Sequence, residues 1–276
     1  MILQPLRTNA IAHRRSLLPW LLGGVLICFL AIPLVALAWR AVAHLDDLTD
    51  RGRTTVSDAL FLTAISSLVS LAVIVGFGTP LAFGIARRSF RGKSVLETLI
   101  DMPMVLPPAV AGLALLMAFG RRGVVGSYLD DADIRIGFTT AAVIFAQIFV
   151  ASPFYIRAAR AAFSRLDTTV EDAAADLGAS PMHVLRTITL PLAAPGLTAG
   201  AVLAWARAVG EFGATIMFAG NLPRETQTLP LAIYGRYEAG ELETALAMAL
   251  ILLASSFLVL VSVRGLGSRL RYTVAD

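Results

Sequence analysis

Six long apolar runs dominate the pattern of hydrophobic and polar positions along the chain. They cover residues 17–39, 59–86, 102–120, 136–156, 190–206 and 244–263, and none of them contains Asp, Glu, Lys or Arg. A helix needs about 20 apolar residues to cross a bilayer. The pattern therefore predicts an all-α integral membrane protein with about six transmembrane helices.

Composition supports this prediction, because 57% of the 276 residues are hydrophobic and only 15% are charged. Such a balance lies far from that of an ordinary soluble domain. The segments between the runs are too short to hold a soluble domain of their own. We expect one transmembrane domain over residues 1–276, with a core of about 54–263.

The positive charges orient the predicted helices, because loops rich in Lys and Arg stay in the cytoplasm. With a cytoplasmic N-terminus, 14 of the 23 Lys and Arg residues fall in inside segments and 8 in outside segments. This predicts that both termini are cytoplasmic. It also places the loop between helices four and five, residues 164–191, in the cytoplasm.

Several function classes are disfavoured. The net charge of +4 follows from this topology, and no basic patch interleaved with aromatic residues suggests nucleic-acid binding. Cys28 is expected to be buried as a small hydrophobic residue. No metal site is expected from the histidines, which are scattered along the chain at His13, His44 and His183.

A nucleotide site is also not expected. Gly92, Lys93 and Ser94 resemble the end of a phosphate-binding loop, but the position of its first glycine is occupied by Arg87. With no nucleophile or acid–base pair in evidence, we expect neither catalytic residues nor a cofactor on this chain.

Prolines interrupt several of the predicted spans. Pro107 and Pro108 lie in the middle of the third run, where they remove backbone donors and free carbonyl groups. Inside a membrane, such breaks are tolerated where protein or a water-filled cavity satisfies the backbone. These two residues are therefore candidates for lining a pathway, and a simple packing kink is the alternative.

The loop at residues 164–191 carries its own helix signals. Thr168 and Thr169 precede Glu171 and Asp172 at the spacing of a capping box, which predicts a short helix from about Val170. Gly178 is expected to end it in a left-handed conformation. Ser180 and Pro181 then supply an N-cap and a first-turn proline for a second helix, which we expect to stop before Pro191.

The same loop resembles the coupling-loop signature of ABC importer permeases. The resemblance covers Asp172, Ala173, Ala174, Gly178, Ile188, Thr189, Leu190 and Pro191. The family pattern begins with glutamate, so Asp172 is a departure, and Glu171 beside it is a possible substitute. The resemblance implies a type I importer permease whose coupling helix, including Leu177, docks on a separate ABC ATPase.

Two later segments narrow the resemblance to molybdate-specific permeases. They are residues 210–215, which contain Gly210, Glu211 and Gly213, and residues 226–234. The resemblance extends over residues 54–263. It implies a bacterial cytoplasmic-membrane permease that acts with a second copy, an ABC ATPase that consumes ATP, and an extracytoplasmic molybdate-binding protein. Sulfate and tungstate are the alternative cargoes.

Two charged residues directly after the fifth run, where the apolar sequence continues to Ala219, are candidates for the pathway or its gate. Arg207 and Glu211 are four residues apart and would share a helical face. An unpaired charge in the bilayer is costly, so both are expected to face protein or water. One interpretation is a structural ion pair, and the other is that Arg207 meets an oxyanion. A third, a proton relay in a gradient-driven transporter, is disfavoured by the single carboxylate. Gly210 and Gly213 are expected to break the helix here.

Overall fold

The computed structural model describes residues 17–43 and 50–272, and all regular structure within them is helical. The first half contains helices α1 (Leu17–Ala43), α2 (Asp50–Arg87), α3 (Lys93–Val105), α4 (Pro108–Phe119), α5 (Gly126–Asp131) and α6 (Thr140–Ser164). The second half contains α7 (Thr168–Asp176), α8 (Pro181–Val184), a π-helical turn (Leu185–Thr189), α9 (Leu190–Val209), α10 (Gly213–Phe218), α11 (Leu229–Glu238) and α12 (Leu242–Tyr272).

Four helical segments in this part of the chain are long and apolar enough to cross a membrane. They are Trp20–Ala43, Thr54–Arg87, Thr140–Ser164 and Pro181–Val209. The pair α3 and α4 makes a fifth span if it is counted as one, although the two helices are bent by 117°. A shorter apolar stretch, Leu242–Leu258, lies in α12. The membrane architecture is confirmed, while the count of six spans stays a prediction.

Helices α2, α6 and α9 form the centre of the molecule. Their buried contact surface includes Ile74 and Ala82 from α2, Tyr155 and Phe163 from α6, and Ala204 from α9. Small residues let the backbones approach closely: a Cβ atom added at Gly200 would lie 2.8 Å from the Cβ of Ala158. Such small-residue contacts are typical of membrane helices, where packing rather than the hydrophobic effect drives association.

Buried polar side chains also join these central helices. The Ser70 hydroxyl donates to Gln147 Oε1 at 2.9 Å, and Gln147 Nε2 donates to the Ser66 hydroxyl at 3.1 Å. The indole of Trp205 donates to the Ser67 hydroxyl at 3.0 Å. Because lipid offers no hydrogen-bond partners, these pairs hold α2 against α6 and α9.

Helix α1 lies at the edge of the bundle and packs mainly against α12. The expectation that Cys28 is buried is wrong, since its side chain is exposed on α1. An apolar residue in a membrane helix can face lipid, so it need not be buried within its own chain. Of the three histidines, His13 and His44 lie outside the described residues, and His183 is exposed in α8.

Candidate coupling surface and translocation pathway

Helix α7 begins two residues earlier than the capping-box spacing predicts. Its N-cap is Asp167, whose carboxylate accepts hydrogen bonds from the Thr169 hydroxyl and, at 3.0 Å, from the Thr169 amide. These bonds favour the ionised form, so the pKa of Asp167 is lowered from its ordinary value. The prediction that a threonine caps this helix was wrong because the aspartate upstream reaches the same donor.

The turn that follows α7 agrees with the sequence prediction. Gly178 has a φ of +87°, in the left-handed region, and its amide donates to the carbonyl of Ala175 at 2.9 Å. The Ser180 hydroxyl then accepts from the His183 amide at 3.4 Å, and Pro181 occupies the first turn of α8. Helices α7 and α8 therefore form a short two-helix projection, here called the α7–α8 knob (residues 167–184).

The second helix of the knob does not stop before Pro191, contrary to prediction. It continues through the π-helical turn Leu185–Thr189 into α9, and the Leu190 amide donates to the carbonyl of Leu185. A proline in a regular helix would clash with the carbonyl four residues earlier. The wider π turn just before Pro191 spreads these carbonyls apart, so the chain remains helical.

Glu171 attaches the knob to the rest of the bundle. Its Oε1 atom lies 2.5 Å from Arg87 Nη2, at the last residue of α2, and accepts from the Thr189 hydroxyl at 2.8 Å. The Arg87 and Glu171 side chains are 17% and 18% exposed, and Thr189 is fully buried. One carboxylate thus links α7, α2 and the start of α9.

The rest of α7 is open, and none of its residues is buried. Asp172 and Ala173 are exposed, Ala174 is partly buried, and the Leu177 side chain is 90% exposed. The remaining members of the predicted coupling set lie at the root of the knob: Ile188 and Leu190 are partly buried and Pro191 is exposed. The knob therefore presents an apolar side chain, Leu177, that the described part of the chain leaves exposed.

The two helix breaks predicted from proline and glycine lie against each other. Pro107 is the N-cap of α4 and Pro108 its first residue, and the 117° bend from α3 lies just before them. Gly210 ends α9, and Gly213 begins α10. A Cβ atom added at Gly213 would lie only 2.4 Å from the Cβ of Pro108, so glycine is required for this approach.

Arg207 and Glu211 meet at the second break. Their closest atoms, Arg207 Nη2 and Glu211 Oε2, are 2.6 Å apart, with side chains 28% and 1% exposed. The arginine N–H bonds are not aligned on Oε2, so the contact is an ion pair rather than a directed hydrogen bond. Glu211 Oε1 accepts from the Ala214 amide at 2.7 Å, in the first turn of α10. The four-residue spacing suggested that both residues share one helical face. Glu211 instead lies after the end of α9, which contains Arg207.

Two residues of the site were missed from the sequence. Arg87 counted only as a topology-setting charge, and Thr189 was part of the coupling-loop resemblance without being a candidate site residue. Arg87 lies 84 residues before its partner Glu171, so no local spacing links them. The buried position of Thr189 follows from the π turn, for which no sequence signal was recognised.

A helical bundle with broken membrane helices and a projecting two-helix knob is the architecture of a transport permease. The chain belongs to the family described as binding-protein-dependent transport system inner membrane component, whose model matches residues 76–272. It is accordingly a multi-pass inner-membrane protein and a permease subunit of an ABC importer.

Individual relatives agree with this assignment. The chain is 42% identical over 250 residues to the molybdenum transport system permease protein ModB of Mycobacterium bovis, covering 88% of this chain and 90% of that protein. It is 34% identical over 260 residues to the sulfate transport system permease protein CysW of Synechococcus elongatus, covering 91% and 90%. Among solved structures, a bacterial alginate ABC transporter in complex with a periplasmic protein has the same fold, with a TM-score of 0.71, 16% identity, and coverage of 92% and 94%.

Proposed function

We propose that this chain is the translocation subunit of an ATP-driven importer whose cargo is molybdate. The observation that carries the proposal is the likeness to a molybdenum permease over most of both chains, at 42% identity against 34% for a sulfate permease. The proposed assembly contains two copies of the permease, a separate ABC ATPase and an extracytoplasmic binding protein. Both termini and the α7–α8 knob face the cytoplasm.

The knob is the proposed contact with the ATPase. The proposed coupling residues are Glu171, Asp172, Ala173, Ala174, Leu177 and Gly178 in the knob, and Ile188, Leu190 and Pro191 at its root. Leu177 is 90% exposed, and a large apolar side chain in this position favours burial against a partner. Closure of the ATPase on ATP would move the knobs of the two permease copies together and open the pathway outward.

The pathway is proposed to pass the two helix breaks. Pro107, Pro108, Gly210 and Gly213 shape the breaks, and Arg207 and Glu211 are the charged residues there. Discontinuous helices are typical of the substrate sites of many alternating-access transporters.

Uptake by the reconstituted complex tests the cargo. The permease, its ATPase and its binding protein are placed in proteoliposomes, and uptake of radiolabelled molybdate is competed with tungstate and sulfate. We expect ATP-dependent molybdate uptake that excess sulfate does not inhibit. Uptake that persists without ATP but collapses with the proton gradient would instead identify a secondary transporter.

Docking is tested separately. Leu177→Glu should weaken ATPase binding by about tenfold or more, because it places a charge in a contact meant to be apolar. Phe90→Glu is the matched control, since Phe90 is an exposed apolar residue of the turn between α2 and α3. Equal loss in both variants would contradict a docking role for the knob.

A further inference from the structure

A cavity of about 140 Å³ lies beneath the α3–α4 bend, next to both helix breaks. Its wall includes Pro103 and Met104 from α3, Leu106 and Pro108 from the bend, and Phe154 from α6. All lining residues except Arg207 are apolar. The cavity thus combines mainly apolar side chains with one positively charged group.

The apolar wall makes this charge unusual. Burying a guanidinium beside apolar side chains is costly unless it is paired or reaches an anion. Arg207 remains 28% exposed, so part of the group lies open to the cavity while Glu211 lies behind it, 1% exposed. If Arg207 only braced the helix break, its guanidinium would be stabilised more by turning fully toward the Glu211 carboxylate.

The donors of Arg207 remain available. A guanidinium has five N–H groups, and within the described residues Glu211 is its only ion-pair partner. The contact between Nη2 and Glu211 Oε2 occupies at most one of these N–H groups, so the others can donate to another acceptor. A planar fork of donors suits the oxygen atoms of a tetrahedral anion.

We propose that this cavity is a transient binding site for a tetrahedral oxyanion, in which Arg207 donates to the anion and Glu211 limits how tightly it is held. The inference rests on the proposed function, since it assumes that an oxyanion crosses here. A lone arginine in a low-dielectric site would retain a dianion strongly. The Glu211 carboxylate, 2.6 Å away, offsets that charge, so the anion binds and leaves.

Glu211 also fixes where the arginine lies. Its second oxygen accepts from the Ala214 amide, which attaches the carboxylate to the start of α10. Movement of α10 relative to α9 would therefore change the position of Arg207 at the cavity. This links the binding site to the opening of the helix break.

Three variants separate an anion site from a structural brace. Arg207→Gln and Glu211→Gln each remove one charge, and the double variant removes both while keeping the side chains polar. Each is assembled with its ATPase and binding protein in proteoliposomes and assayed for uptake of radiolabelled molybdate. Glutamine at position 211 can still accept from the Ala214 amide, so the break is expected to keep its shape.

We expect Arg207→Gln to lower uptake by about tenfold or more, since a charge-assisted hydrogen bond to the anion is lost. The double variant should remain as slow as Arg207→Gln. Glu211→Gln should increase the molybdate retained by the purified permease–ATPase complex, while lowering uptake, because the arginine is no longer balanced. Arg157→Gln, which removes a guanidinium that contacts Met104, is the control and should change uptake by less than about twofold.

Recovery of uptake in the double variant to near the wild-type rate would overturn the proposal. A purely structural ion pair leaves no unpaired charge when both partners are replaced, so uptake would then recover. Unchanged retention of molybdate in Glu211→Gln would also contradict it. Basal ATPase activity and the melting temperature of each complex identify variants that fail to assemble. If Arg207→Gln fails, Arg207→Lys is used instead, because lysine keeps the positive charge but lacks the planar set of guanidinium donors. If the wild-type complex takes up no oxyanion, the proposed function fails, independently of these variants.

Discussion

The Glu171 carboxylate of α7 lies 2.5 Å from the Arg87 guanidinium at the end of α2. Glu171 and the neighbouring Asp172 have different environments: Glu171 is turned toward the bundle, while Asp172 is exposed. Through Arg87 and the Thr189 hydroxyl, Glu171 connects the knob to α2 and to the start of α9. A force applied to the knob would thereby reach two membrane helices.

Glu171→Gln should uncouple ATP hydrolysis from uptake. The loss of the ion pair weakens the attachment of α7 to α2 by about 1.5–3 kcal/mol, the range for a hydrogen bond to a charged group. The measurement is the ratio of molybdate imported to ATP hydrolysed in proteoliposomes. Asp172→Asn is the matched control and should leave this ratio nearer to wild type. A normal ratio in Glu171→Gln would show that the link transmits no movement.

Gly178→Ala should disturb the turn between α7 and α8. The left-handed φ of +87° costs a residue with a Cβ atom about 1–2 kcal/mol. We expect lower ATPase affinity in a pull-down titration, while Gly178→Asn, which tolerates this conformation better, should be milder. Equal effects of Ala and Asn would point away from backbone conformation as the cause.

Gly213→Ala and Gly112→Ala should both loosen the contact between α4 and α10. A Cβ atom would lie 2.4 Å from Pro108 Cβ in the first case and 2.5 Å from the Ala214 carbonyl oxygen in the second. Overpacking of this kind costs about 1–3 kcal/mol, which thermal unfolding of the purified complex would report as a lower Tm. Gly76→Ala in α2, where nothing lies within 4 Å of the added atom, should leave the Tm unchanged or raise it slightly.

The stabilisation of α7 by its N-cap, Asp167, should depend on pH in the acid range only. The Thr169 hydroxyl lowers the pKa of Asp167, so the stabilisation is complete above the ordinary aspartate pKa of about 3.9 and is lost as pH falls through the lower folded value. Amide hydrogen exchange of residues 168–176, measured relative to Asp167→Asn at each pH, should show faster opening only at strongly acidic pH. A change near neutral pH would contradict this assignment.

Cysteine labelling tests the predicted orientation of the chain in the membrane. In a Cys28→Ser background, Asp176→Cys and Glu225→Cys each place a thiol at an exposed position, one in α7 and one in the loop before α11. A membrane-impermeant maleimide should label position 225 on intact cells and position 176 only after lysis. The reverse pattern would invert the topology and remove the ATPase from the knob.

Local features of the site could be predicted from the sequence because local chemistry determines them. Glycine after the first short helix, and serine followed by proline before the second, act within one or two turns. The same holds for the break at Gly210 and Gly213. The predicted start of α7 was wrong by two positions, and the π turn before Pro191 was missed, because several adjacent residues offer competing caps and helix types.

The sequence by itself determined the class of the protein, since long uncharged runs have no stable place outside a membrane, and charge asymmetry predicts which loops share a side. Only the tertiary structure decided which of two adjacent carboxylates turns inward, because Arg87 is 84 residues from Glu171. It likewise decided that Pro108 meets Gly213 and that Arg207 borders a cavity. Such contacts depend on how separate helices pack against each other, and the spacing of residues along the sequence does not predict that packing.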